Sequence, residues 1–171
     1  MQKENEAILK AIKLLESNLS HPEHGIPEAL FLFVSRLTPL VNVDLLIRNE
    51  QEQILLTWRS DAIFGQGWHL PGGCVRIGES FADRIAAVAA NELGTGVTFA
   101  PTPLAVYETV DSTRPARTHH VSLLFDCKLT GQPRGHWKHK DKLPEAGAWA
   151  WHSTCPDDFL QADYRRLFRS S

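Results

Sequence analysis

A glycine turn and two acidic residues that follow it have the residue types and spacing most suited to chemistry in this chain. Gly72 and Gly73 follow Trp-His-Leu-Pro at 68–71, and Glu79 and Glu92 come later. Glycines let a backbone bend and approach a ligand closely. Mg²⁺ prefers oxygen ligands and often needs only one or two protein carboxylates beside substrate phosphates. The pattern therefore indicates a cation held beside a phosphate, with a plain turn after a strand as the structural alternative.

The two acids differ in their places on the helix that follows the glycines. Glu92 stands near the end of a predicted helix that closes on Gly94, where the helix dipole disfavours an acid. Metal binding would offset that cost. Glu79 stands near the helix start, where an acid is favoured, so capping is its structural alternative. Val88 lies one turn before Glu92 on the same face, and an aliphatic side chain neither coordinates a cation nor activates water.

The segment resembles the Nudix box, a glycine-to-glycine pattern with acids at fixed positions. Four residues fall in register with that box: Gly73, Glu79, Glu92 and Gly94. Four others depart from it, at the places of an arginine, two acids and an aliphatic: Ala87, Val88, Asn91 and Thr95. The resemblance implies an α/β sandwich with a mixed sheet.

The resemblance also implies a metal site. Mg²⁺, with Mn²⁺ as the alternative ion, would be bound by the carbonyl of Gly72 and the carboxylates of Glu92 and Glu79. The loss of the arginine at Ala87 removes the expected ion-pair partner of Glu79. Arg84, about one turn earlier, is a candidate replacement.

Within the Nudix proteins, the chain is most similar to the GDP-mannose mannosyl hydrolase branch. The likeness covers roughly residues 36 to 152 and is carried by three segments before the box: residues 37–44, 54–59 and 65–68. That branch also lacks acids at the places of Val88 and Asn91 and retains the one at Glu92. Attack there falls on the anomeric carbon of the sugar, GDP leaves, and a loop histidine acts as general base. A homodimer is a further implication.

Four substrate-side residues follow from the same resemblance. Arg59 matches an arginine that binds the diphosphate, and Asp44 matches an acid for the leaving group or the sugar. Their structural alternatives are a surface salt bridge and a strand-edge acid. The branch has another arginine directly after its glycine pair, where this chain has Cys74, and the nearby Arg76 is the candidate to compensate. His120 replaces a tyrosine near the leaving diphosphate.

The general base is sought on the loop before the last strand. The branch carries Gln-His there, and this chain offers Glu145-Ala146. His136 and His139 lie slightly earlier on the same loop, and His139 is the preferred candidate of the two. A histidine with a near-neutral pKa is a natural base, although loop histidines without a function are common. His139 and Glu145 are therefore the two candidates.

Composition excludes several classes of function. The formal net charge is −2 over 171 residues, without a basic block, so nucleic acid is not indicated as a partner. No apolar run approaches the roughly 18 residues of a membrane span, and the first residues lack the apolar core of a signal peptide. Three widely spaced cysteines are typical of reduced thiols, so we expect a cytoplasmic protein: Cys74, Cys127 and Cys155.

Periodicity predicts the elements that position these residues. Residues 4–19 form an amphipathic helix and a second helix starts near Pro27. They give an N-terminal helical extension over residues 1–35, ahead of a Nudix-like domain over 36–171. We expect the extension to serve in packing or dimerisation, with substrate contact as the alternative. The other predicted elements are a hairpin of 41–47 and 53–58, a helix over 80–93 capped by Ser80, strands at 104–110, 120–129 and 148–151, and a C-terminal helix from Pro156 through Phe168.

The main hypothesis is thus a magnesium-dependent hydrolase of a nucleoside diphosphate sugar or a related nucleoside diphosphate derivative. One alternative is a decayed domain that binds a nucleotide or a protein partner without turnover, which Ala87 supports. Another is phosphoanhydride cleavage, as in a Nudix pyrophosphatase, with an acid recruited from elsewhere, such as Glu145.

Overall fold

Two β-sheets carry the molecule in the computed structural model, which describes residues 2–135 and 142–168. In the larger sheet β1 is the parallel neighbour of β7 and the antiparallel neighbour of β4, while β5 and β6 both pair with β7. The smaller sheet has the order β3-β2-β8. The predicted mixed-sheet α/β fold is confirmed. The strands are β1 Leu40–Ile47, β2 Ile54–Asp61, β3 Gly65–His69, β4 Gly72–Cys74, β5 Val97–Phe99, β6 Ala105–Val110, β7 His119–Leu129 and β8 Trp149–His152.

The predicted hairpin of β1 and β2 is wrong, although both strands exist. They are linked by a tight turn with a single bridge between Arg48 and Ile54, and then enter different sheets. Both strands are nearly continuous apolar runs that are buried over most of their length. A strand buried on both faces fits the centre of a sheet between two partners, rather than a two-stranded ribbon.

The helix after the glycine turn packs on the larger sheet. Helix α3 spans Phe81–Val88 and continues as a π-helical turn over Ala89–Leu93. Ser80 caps it as predicted, through reciprocal hydrogen bonds with Asp83, and Gly94 ends it with a φ of 64°. Ile85 is fully buried against β1, which stabilises the fold by about 1.5–3 kcal/mol. This packing places Glu92, in the π-helical turn, within hydrogen-bond distance of β2 and β4.

The N-terminal helices form as predicted. Helix α1 spans Gln2–Ser17, and α2 spans Glu28–Val34. The apolar residues of α1 stay exposed, with Ile8 at 57% and Ile12 at 43% of full exposure. Within residues 2–135 and 142–168, none of the helices combines the length and the hydropathy that a membrane-spanning helix requires.

The C-terminal segment differs from the predicted helix. Only Ala162–Phe168 is helical, as a 3₁₀ segment. The residues before it run along β3, where Trp68 donates its N–H to the carbonyl of Asp158 and accepts from the N–H of Leu160. Those backbone groups are used by the strand, so the α-helix that Pro156 was expected to open does not form.

Candidate active site

A cavity of about 330 Å³ lies between the larger sheet and the C-terminal segment. Four of the residues predicted from the sequence line it: Asp44, Arg59, Gly72 and His120. Strand pairing in the larger sheet brings three of them together, because β1, which carries Asp44, lies between β4, which carries Gly72, and β7, which carries His120. Arg59 comes from β2 in the smaller sheet.

Asp44 is a buried carboxylate beside the glycine turn. Its Oδ1 lies so close to Gly72 that any side chain at that position would collide with it. Its Oδ2 accepts a hydrogen bond of 2.7 Å from the hydroxyl of Tyr164. Burial raises the pKa of Asp44 to about 6, against the lowering effects of the hydrogen bonds from Tyr164 and Ser122 and of the Arg59 charge. Asp44 is therefore a buried acid, and not the exposed strand-edge acid that was its structural alternative.

Glu92 lies on the other side of the same turn. Its Oε1 accepts a 3.1 Å hydrogen bond from the N–H of Gly72, and its Oε2 accepts a 2.9 Å bond from the hydroxyl of Thr57. Burial raises the pKa of Glu92 to about 7, and the negative charge of Asp44 adds to that rise. Glu92 is therefore not a freely solvated helix-end acid.

The oxygen atoms around Gly72 fit a divalent cation. Two carboxylates, Asp44 and Glu92, lie against this one residue, and burial raises the pKa of each, although the charge of Arg59 lowers both. A hard cation takes oxygen ligands of this kind. Asp44, Glu92 and the Gly72 carbonyl are the groups that would hold it.

Thr57 and His69 support Glu92 from behind, and sequence reasoning missed both. They are paired across β2 and β3, with the Thr57 hydroxyl 3.1 Å from His69 Nε2. His69 Nδ1 lies 2.6 Å from the Leu70 carbonyl, which assigns the ring proton to Nδ1. Burial lowers the pKa of His69 to about 3, so the ring is neutral. His69 could have been identified from the Trp-His-Leu-Pro run that precedes the glycine turn. Thr57 could not, because a threonine within an apolar strand is not distinctive in the sequence.

Glu79 is engaged in an ion pair rather than in lining the cavity. Arg84 donates from Nε to Glu79 Oε2 at 2.7 Å, and its Nη2 lies at the same distance from that oxygen. The backbone N–H of Arg76 donates to Glu79 as well, at 2.9 Å. The arginine expected at Ala87 is thus replaced by Arg84, as the sequence suggested. A metal-binding role for Glu79 stays a prediction.

Three guanidinium groups surround the ring of Phe64 at one side of the cavity. Those of Arg59, Arg114 and Arg117 lie 4.8, 4.4 and 4.5 Å from its centroid. Arg59 also forms a 3.3 Å ion pair with Asp61, so the salt bridge that was its structural alternative is present, and its binding of a diphosphate stays a prediction. Sequence reasoning missed Arg114 and Arg117, because the loop between β6 and β7 has no periodicity. Such a concentration of positive charge suits a multiply charged anion.

His120 faces the cavity as a neutral ring. Burial, and then the charges of Arg117 and Arg114, lower its pKa to about 4. Its Nε2 is buried and has no hydrogen-bond partner among the described residues. A phosphate oxygen or a hydroxyl group would satisfy that atom.

Two predicted residues lie outside the cavity, and a third falls outside the described residues. Arg76 is exposed and lies outside the cavity, with its guanidinium beside Gly25. The prediction that Arg76 replaces the arginine missing at the position of Cys74 is therefore wrong. Glu145 is exposed in the turn before β8, where its carbonyl accepts from the N–H of Ala148. His139, like His136, lies outside the described residues. The general base therefore stays a prediction.

The C-terminal segment forms a wall of the cavity that sequence reasoning did not anticipate. Its residues 160–164 line the cavity. Gln161 accepts a 2.7 Å hydrogen bond from the N–H of Leu70, which ties the segment to the glycine turn. Tyr164 contacts Asp44 from this wall.

Comparison with known proteins places this geometry in a family. Residues 38–166 match the model of the NUDIX domain. The low-salt glycan biosynthesis protein Agl8 of Haloferax volcanii is 32% identical over 111 residues, which are 63% of this chain and 70% of that protein.

Solved structures share the fold. A MutT protein from Methanosarcina mazei superposes with a TM-score of 0.57 at 23% identity, covering 77% of this chain and 91% of its own. A MutT NUDIX hydrolase from Burkholderia pseudomallei gives 0.58 at 24% identity, covering 77% and 96%. At these identities the likeness is one of fold.

Proposed function

This chain belongs to the NUDIX domain family, and we propose on that premise that it is a divalent-metal-dependent hydrolase of a nucleoside diphosphate sugar. The observation that carries the proposal is a pair of carboxylates, the buried Asp44 and the half-buried Glu92, on either side of Gly72 at the edge of a cavity that is also lined by three arginines. We assign the catalytic part to the Nudix-like domain, residues 36–171, and treat residues 1–35 as a helical extension.

The proposed metal site is built around Glu92. Glu92 and the Gly72 carbonyl would bind Mg²⁺ or Mn²⁺, with Asp44 or Glu79 as a further carboxylate. When bound, the cation supplies charge neutralisation for the departing diphosphate. Thr57 holds the Glu92 carboxylate by its hydrogen bond and so fixes where its oxygens lie.

The proposed reaction is the hydrolysis of the sugar–phosphate bond. The oxygen of water bonds to the anomeric carbon, the bond from that carbon to the diphosphate oxygen breaks, and the base takes the water proton. Arg59 binds the diphosphate as it leaves, and the His120 ring hydrogen-bonds to it. Asp44 contacts the sugar or the leaving group. His139 and Glu145 are the two candidates for the base.

The nucleotide-sugar substrate rests on two supports. One is the resemblance of the chain to the GDP-mannose mannosyl hydrolase branch. The other is the identity with a protein named for low-salt glycan biosynthesis. The loss of acids at Val88 and Asn91 also favours attack at carbon over attack at phosphorus, because phosphoanhydride cleavage in this family relies on acids along that helix face.

The test is a panel of nucleoside diphosphate sugars and nucleotides incubated with Mg²⁺ or Mn²⁺, with identification of the products. Free sugar plus nucleoside diphosphate supports the proposal, whereas two phosphorylated fragments identify a pyrophosphatase. Glu92→Gln is expected to lose at least about 100-fold in turnover, because it removes the charged metal ligand.

The matched control is Glu50→Gln, which makes the same change at an exposed turn residue and leaves turnover intact. Equal turnover by the parent and Glu92→Gln contradicts the metal assignment. Tight nucleotide binding without any product supports the alternative of a decayed binding domain.

A further inference from the structure

Arg117 has a backbone conformation that is uncommon for a residue with a side chain. Its φ is +55°, in the left-handed region. Such a conformation persists when surrounding contacts impose it, and it often occurs where a side chain must be aimed at a ligand. The N–H of Arg117 donates a 3.1 Å hydrogen bond to the hydroxyl of Ser35, which is buried at the end of α2.

The side chain of Arg117 is held from the same direction. Its guanidinium lies 5.5 Å from the ring centroid of Phe31, also in α2, and 4.5 Å from that of Phe64. The N-terminal extension therefore contacts a residue of the cavity. A packing or dimer role of this extension does not account for this contact, which favours the alternative of substrate contact.

Arg117 is also short of a negative partner. Arg59 pairs with Asp61, and Arg114 pairs with Asp111 at 2.8 Å. Among the described residues no carboxylate lies within ion-pair distance of Arg117, and its buried Nε has no hydrogen-bond partner. A partly buried cation without an anion is costly, and an incoming anion would offset that cost.

The position of Arg117 is made possible by a small neighbour. Its Nη2 lies 4.0 Å from Sγ of Cys74, the residue that follows the glycine pair. A longer side chain at that place would occupy the space that the guanidinium now takes. Arg117 thus supplies, from a distant loop, a positive charge next to the glycine turn.

Two other buried polar atoms that line the same cavity lack partners among the described residues, namely His120 Nε2 and Asn42 Oδ1. Arg117 Nε donates, neutral His120 donates or accepts, and Asn42 Oδ1 accepts. Phosphate oxygens next to a hydroxyl group would satisfy all three atoms.

We propose that Arg117, aimed by Ser35 and Phe31 of the N-terminal extension, binds a phosphate group of the substrate in this cavity. The identity of that phosphate as part of a nucleoside diphosphate rests on the proposed function. The binding of an anion by Arg117 does not.

The test is the affinity of the full chain for inorganic pyrophosphate and for GDP, measured by titration calorimetry. Arg117→Asn removes the charge but tolerates the left-handed backbone. It is expected to weaken the binding of both anions by about 10- to 100-fold, the range for loss of a charged hydrogen bond. Arg48→Ala, which removes an arginine outside the cavity, is the control and is expected to bind like the parent.

The proposal is overturned if Arg117→Asn binds both anions as the parent does, or if the parent binds neither. Thermal melts check that the variants fold, and Arg117→Gln replaces the Asn variant if that one does not. Anion binding that depends on Arg117, in a protein that hydrolyses no nucleotide sugar, supports this inference and refutes the proposed reaction. Hydrolysis of a nucleotide sugar with a KM that Arg117→Asn leaves unchanged supports the proposed reaction and refutes this inference.

Discussion

At the scale of single residues, the buried Asp44 and the half-buried Glu92 are carboxylates that the fold places on both sides of one glycine. Their pKa values rise to about 6 and about 7, mainly through burial. A group with a raised pKa holds its proton more tightly in the folded protein than in the unfolded chain. Both residues therefore couple the stability of the metal-free protein to pH.

The stability contribution of Glu92 is present below its unfolded pKa of about 4.5 and is lost as pH rises through about 7. Relative to Glu92→Gln, the metal-free parent should lose on the order of 2 kcal/mol of unfolding free energy between pH 5 and pH 8. Urea unfolding of both proteins at these pH values measures the difference. Curves that stay parallel would contradict the burial of Glu92, whereas Mg²⁺ at pH 8 should restore the loss.

The Glu79–Arg84 ion pair gives a second prediction at this scale. The side chains are 15% and 8% exposed, so the pair is largely removed from water. Arg84→Ala leaves Glu79 without its partner and should cost about 1–3 kcal/mol of unfolding free energy. Placing an arginine at the position typical of the family, in Arg84→Ala/Ala87→Arg, should recover part of this. No loss in the single variant would show that Glu79 gains its stability elsewhere.

At the scale of elements, the site depends on segments that lie far apart in the chain. Helix α3 with its π-helical turn brings Glu92 to Gly72, and β2 brings Thr57 to Glu92. The C-terminal 3₁₀ segment brings Tyr164 to Asp44. A π turn widens a helix locally and is frequent at functional sites. Each element therefore contributes one contact to the two carboxylates.

The contact of the C-terminal segment is tested by Tyr164→Phe. Loss of the hydroxyl removes a hydrogen bond that lowers the pKa of Asp44, so that pKa should rise further above about 6. The acid limb of the pH–activity profile should shift upward, and stability should fall by about 1.5–3 kcal/mol. The matched control is Tyr107→Phe, because the Tyr107 hydroxyl accepts an exposed 3.3 Å hydrogen bond from Arg166 and does not contact Asp44. Identical profiles for the two variants would separate Asp44 from catalysis.

At the scale of the whole molecule, α1 is an amphipathic helix whose apolar side chains are exposed. Leu14 is 66% exposed and Leu15 is 41% exposed, with Ile8 and Ile12 on the same helix. Burial of such residues against a second copy would follow from the homodimer that the family resemblance implies. The same extension contacts Arg117 through Phe31 of α2 and through Ser35 at the end of that helix, and these contacts do not involve α1.

The homodimer is tested by Ile12→Lys/Leu15→Lys. If the apolar face of α1 is the interface, this variant should be monomeric in light scattering at concentrations where the parent is dimeric, because two charges would be buried. Lys10→Ala/Lys13→Ala, on the same helix but outside that apolar stripe, is the control. A parent that is monomeric at all concentrations would refute the homodimer.

The sequence by itself determined the glycine turn, the Ser80 and Gly94 ends of the helix, and Glu92 as the single acid at the far end of that helix. These residues lie within one continuous segment, where spacing along the chain controls which groups meet. The positions of Asp44, Arg59 and His120 also followed from the sequence, through a resemblance rather than through spacing.

Only the tertiary structure decided the rest of the site. Thr57 is 35 residues from Glu92, and Tyr164 is 120 residues from Asp44. Arg117 is 43 residues from Cys74 and 82 residues from Ser35 along the chain. Hydrophobic periodicity specifies which face of a strand is buried, but not which strand becomes its neighbour. Sheet order, set by the burial of β1 and β2 in different sheets, brought these side chains to one cavity.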